Sequence, residues 1–175
     1  MEAIVSLLVF FQALGAIVGA CTVVWGELAY VHAMRDGNID TAERAHLRFI
    51  ANGLRFGMLL LLLSSLGLVI AAYMLQAALQ PALSTSYWIL VALAFIIIGV
   101  SWALSRRRIS FPFGSAILFA GWWFLAYLVF GIFPPLSFGT VIAFFIVATA
   151  IFYAILQSAR FLFLRDRSKG ATLQE

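Results

Sequence analysis

Glu27, Arg55 and Arg160 are the charged residues set deepest in the apolar runs of this 175-residue chain. An ionisable side chain at such a depth is paired, lines a polar path or holds a ligand. Arg44, Arg48, Asn52 and Arg55 follow one another at three- and four-residue steps, the spacing of one helix face. Thr149, Tyr153, Gln157 and Arg160 form a second polar stripe near the C-terminus. If the stripes face each other, they enclose a basic cavity suited to an anionic lipid headgroup or a small anion. An antiparallel pairing of the first two helices sets Glu27 near the level of Arg48, so an ion pair from Glu27 to Arg48 or Arg55 is expected. Glu27, Arg48, Asn52, Arg55, Tyr153, Gln157 and Arg160 are therefore the candidate polar or lipid-binding residues. The plainer alternative is a set of arginines that snorkel from helix ends to the headgroups.

Other chemistry has thinner support. His32 and His46 flank the first turn and could form a bis-histidine haem or copper site, but no third ligand is evident. Asp36, Gly37, Ile39, Asp40 and Glu43 match the second half of a calcium loop, yet His32 and Met34 occupy its first two ligand positions. A glycine C-cap at Gly37 and an Asp40/Glu43 capping box explain the same residues as a tight helical turn. The lone Cys21 excludes an intramolecular disulfide. No nucleophile with a base, acidic pair or phosphate loop stands out, so no catalytic residue, metal or cofactor is expected. Bound phospholipid is the exception.

The elements that must position these residues are apolar. Sixty-five per cent of the chain is hydrophobic, 10% is charged and the mean hydropathy is +1.08, a composition whose solvent is lipid. Spans are expected over about Ala3–Trp25, Leu54–Ala77, Tyr87–Leu104, Phe113–Phe133 and Phe138–Phe163. The first helix should continue to Arg35, the second should begin near Thr41, and Pro134–Pro135 should end the fourth. The result is an all-α bundle of five transmembrane helices, with one domain over 1–164 and a polar, frayed tail over 165–175. Every lysine and arginine falls in one of three clusters, Arg35–Arg55, Arg106–Arg108 and Arg160–Lys169. The alternate turns carry no charge, which by the positive-inside rule puts the N-terminus outside and the C-terminus in the cytoplasm. The net charge of +4 then answers anionic headgroups and not nucleic acid.

Small residues recur at helical spacing, with Gly15, Gly19 and Gly26 on the first helix and Gly53 and Gly57 on the second. Such stripes let two helices approach closely in lipid, either within the chain or, through Gly15 and Gly19, between two copies. Phe119, Trp122, Trp123, Tyr127 and Phe130 give the fourth span an aromatic face. That face either meets a partner or cofactor, or forms an internal core with Phe144, Phe145 and Phe152.

The run Phe11–Gly19, the Asp36–Glu43 link and the helix from Gly57 to Gly67 resemble the first hairpin of small uncharacterised bacterial integral membrane proteins, distantly similar to the copper-resistance CopD-like group. The resemblance covers about the first 75 residues and implies a bacterial inner-membrane protein. Where this chain has Gln12, the CopD-like pattern often has histidine. The reading that gathers these features is a non-enzymatic scaffold or accessory subunit whose partners are membrane lipids and other membrane subunits or a second copy. A small anion or proton transporter, or a haem- or copper-binding redox protein, are the alternatives.

Overall fold

A computed structural model describes residues 2–33, 41–76, 80–132 and 137–171, and the side chains of all of these except 33, 41–48 and 163–171. Five α-helices run through them: α1 (Glu2–Ala33), α2 (Thr41–Met74), α3 (Thr85–Ser105), α4 (Phe111–Val129) and α5 (Phe138–Ala171), with a short 3₁₀ turn at Pro81–Leu83 before α3. No strand occurs among the described residues, and all five helices are long and apolar enough to cross a membrane.

The helix ends differ from the sequence expectation where local chemistry is stronger than the span count. α4 stops at Val129, before Pro134, because Gly131 takes a left-handed conformation at φ 65°. The N–H groups of Gly131 and Ile132 then donate back to the carbonyls of Leu128 and Tyr127, at 3.1 Å each, and close the helix. α5 runs to Ala171, well past Phe163, so the backbone at 165–171 is helical where a frayed tail is expected. At the start of α3, Ser84 Oγ accepts the Tyr87 N–H at 3.2 Å, an ordinary N-cap.

The α3–α4 turn uses the same C-cap geometry with an unusual residue. Arg107 sits at φ 54°, and the N–H groups of Arg107 and Arg108 donate to Leu104 and Ala103 at 3.0 and 2.9 Å. A side chain in that conformation costs roughly 1 kcal/mol relative to glycine. Arg107→Gly should therefore raise the unfolding free energy in detergent by up to about 1 kcal/mol. An unchanged or lowered midpoint would show that the arginine side chain itself stabilises the turn.

α4 is the most enclosed helix and packs on α1, α3 and α5, while α2 packs along α1. Because lipid is as apolar as the side chains, close fit rather than the hydrophobic effect holds these pairs. A Cβ on Gly15 would lie 2.8 Å from the Gly57 carbonyl oxygen, and one on Gly57 would lie 2.9 Å from that of Gly15. Backbone touches backbone there. Further along, Gly53 faces Thr22 and Gly26 faces Ile50. At the other end, Gln12 Nε2 donates to Ser65 Oγ at 2.9 Å, tying the pair by a hydrogen bond.

One residue round α1 from this glycine stripe lies another, buried stripe: Ala16, Ala20, Val23 and Glu27. It belongs with the α4-facing side of the helix. Trp122 of α4 is 1% exposed, and its ring fills the place where a Gly19 side chain would stand. Together with Met58, Leu61, Leu90, Leu93, Ile97 and Leu125 it forms the core.

Candidate functional site: a buried arginine shared by three helices

Glu27 and Arg160 are both 10% exposed in their side chains, and they meet. Arg160 Nη2 donates to Glu27 Oε2 at 2.6 Å and to Ser115 Oγ at 2.8 Å, joining α5, α1 and α4. Ser115 Oγ donates in turn to the Pro112 carbonyl at 3.1 Å. Above the guanidinium, Tyr30 and Phe111 stack with ring centroids 3.9 Å apart. Arg160 Cζ lies 5.3 Å from each centroid, so both aromatic faces contribute a cation–π attraction.

Helical spacing explains how the cluster is assembled. Tyr30 follows Glu27 by three residues, and Ser115 follows Phe111 by four, so each pair shares one helix face. Ser115 lies about 6 Å inside the start of α4 at 1.5 Å per residue, near the boundary of headgroup and hydrocarbon. There an unpaired charge is expensive, and a pair with further hydrogen bonds roughly offsets its own desolvation. The offset is incomplete here: Arg160 Nε and Nη1 are buried without a hydrogen-bond partner.

This partner differs from the one expected from the sequence. The antiparallel register does bring Glu27 level with Phe49 and Arg48, one step beyond the Gly26–Ile50 contact. However, Glu27 lies on the α4-facing stripe and not on the α2-facing glycine stripe, so its carboxylate turns to Arg160. Asn52 and Arg55 are exposed, and the side chain of Arg48 lies outside the described residues. Among the described residues the basic stripe of α2 and the polar stripe of α5 are not brought together, since α2 packs on α1 and α5 on α4. On α5, Thr149 Oγ1 is buried without a partner, Tyr153 rests edge-on to Phe113 at 6.5 Å, and Gln157 is exposed. Ser115, Tyr30 and Phe111 complete the cluster without having been singled out in the sequence, although the i+3 and i+4 spacings hold that signal.

The aromatic face of α4 is largely used within the chain. Phe119 packs against Phe152 at 4.8 Å and Trp123 at 6.4 Å, and Phe124 against Phe144 and Phe145 at 5.4 and 5.5 Å. Trp122 is enclosed and Trp123 half-buried, and both indole N–H groups lack a hydrogen-bond partner. Tyr127 and Phe130 remain exposed at 42% and 48%. The Gly15–Gly19 face likewise meets α2 and Trp122, so it is filled from within the chain.

Among the described residues no three His, Cys, Asp or Glu side chains come together. His32 is exposed, the His46 side chain is outside the described residues, and so is the Arg35–Asp40 link with its calcium-loop likeness. No family model matches this chain, and neither the curated proteins nor the solved structures include a significant match.

Proposed function

We propose that this chain is a non-enzymatic accessory subunit or scaffold of a membrane assembly, holding anionic lipid at its basic end and packing other membrane chains against α5. The positive-inside rule sets that basic end in the cytoplasm, and the composition and the first-hairpin resemblance favour a bacterial inner membrane. The observation that carries the reading is on α5. Gln157 is exposed one turn before buried Arg160, among exposed Phe144, Ile146, Val147, Ile151 and Ile155. An amide turned outward from a transmembrane helix lacks water, and a neighbouring helix supplies the hydrogen bonds it needs.

Purification of the tagged chain from its native membrane in a gentle detergent tests this directly. The expected result is a particle with stoichiometric companion chains, from which Gln157→Leu releases the companion while the bundle stays folded. A colourless particle containing this chain alone would overturn the accessory reading. It would put transport first, with flux through proteoliposomes of the Glu27→Gln variant as the assay.

A further inference from the structure

Between Glu43 and Asp166 the chain has no acidic residue at all, yet that stretch carries Arg44, Arg48, Arg55, Arg106, Arg107, Arg108, Arg160 and Arg165. Glu27 neutralises Arg160, and among the described residues that is the one ion pair. Arg106, Arg107 and Arg108 are exposed in the α3–α4 turn, three adjacent charges with no ion pair to any carboxylate among the described residues. The Arg106 and Arg108 guanidinium groups lie 5.5 and 5.3 Å from the Trp102 ring centroid, and Trp102 is half exposed. An indole flanked by guanidinium groups marks headgroup depth.

Just beyond the turn, α4 begins without a cap. Ser110 has the extended N-cap backbone but makes no side-chain cap bond, and Pro112 removes one N–H from the first turn. Among the described residues no cap or turn bond takes up the Phe111 and Phe113 N–H groups, which belong to the first turn at the positive end of the helix dipole. Behind this same turn stands Arg160, nine-tenths buried, in contact with the Phe111 ring and Ser115. Its Nε and Nη1 have no hydrogen-bond partner, and its Cζ lies 5.3 Å from the centroid of the Phe111 ring, which is 38% exposed. Since Glu27 cancels its charge, Arg160 contributes donors while Arg106–Arg108 contribute the net positive field.

We infer that the uncapped N-terminus of α4, rimmed by Arg106–Arg108 and backed by the spare donors of Arg160, binds the phosphate oxyanion of an anionic lipid headgroup. This rests on the proposed lipid-holding role, but it moves the site from the α2 and α5 stripes to the α3–α4 turn. A phosphate there supplies acceptors for the free N–H groups and a counter-charge for the arginines at once. Trp102 and Phe113 provide apolar surface for the acyl chains below it.

The test uses the full chain in nanodiscs of mixed phosphatidylcholine and phosphatidylglycerol, with retained lipid counted by native mass spectrometry. Phosphatidylglycerol should be enriched at least about tenfold over phosphatidylcholine. Ser110→Asp places a carboxylate cap on the same N–H groups, so it should leave the helix intact and remove most of that enrichment. Arg106→Gln/Arg108→Gln should do the same by loss of charge. No enrichment in the wild type, or enrichment unchanged in both variants, overturns the site. In lipid-depleted micelles, a saturable response of the tryptophan fluorescence to inorganic phosphate, absent in Ser110→Asp, would overturn the lipid assignment in favour of soluble phosphate. Companion chains retained by Ser110→Asp would show this site failing independently of the accessory role.

Discussion

Arg160→Ala is expected to destabilise the bundle by about 3–5 kcal/mol, the usual result of removing one member of a buried ion pair. The loss comes mainly from what remains behind: Glu27 is left 10% exposed with a bare carboxylate, and Tyr30 and Phe111 lose the cation between them. Glu27→Leu should be comparably harmful, because it leaves a buried guanidinium with only the Ser115 hydroxyl as acceptor. The double change Glu27→Leu/Arg160→Met removes both charges and should recover most of the stability. Denaturant titration in detergent separates these cases. Single variants within about 1 kcal/mol of wild type would show that the pair is hydrated and contributes little.

The next largest effect is expected at Gly19. A Cβ there would collide with three ring carbons of Trp122, and that ring is 1% exposed, so it has nowhere to go. Gly19→Ala should therefore lower stability by about 3 kcal/mol, the upper end of overpacking effects. Trp122→Leu in the same chain frees the space and should return part of the loss. Gly99→Ala serves as the control, since nothing lies within 4 Å of its Cβ position. It should be neutral or stabilise α3 slightly. A Gly19→Ala variant as stable as Gly99→Ala would mean that α1 and α4 do not pack as described.

What the sequence discloses and what it withholds follow from geometry. The five spans are legible because hydropathy acts residue by residue along the chain. The register of α1 against α2 is legible too, since the small residues Gly15, Gly26, Gly53 and Gly57 can oppose one another in few ways. The angular position of each helix is not. Gly26 faces α2 while its neighbour Glu27 faces α4 and α5, a turn of one residue that span positions do not encode. For the same reason Arg160 could be marked as a deep charge, whereas its pairing with Glu27 depended on the central place of α4. The early end of α4 was missed because Pro134–Pro135 draws attention away from Gly131, the actual terminator.

Glu27 and Arg160 are separated by 133 residues of chain. At a synthesis rate of roughly 5–20 residues per second, the carboxylate is made on the order of ten seconds before its partner. Once α2 has followed, the first hairpin can zip along its glycines for the rest of that interval, with an unanswered acid on the side where α4 will settle. The arrival of the last helix is what neutralises it. A nascent chain cut short before Arg160 would keep that acid without its partner.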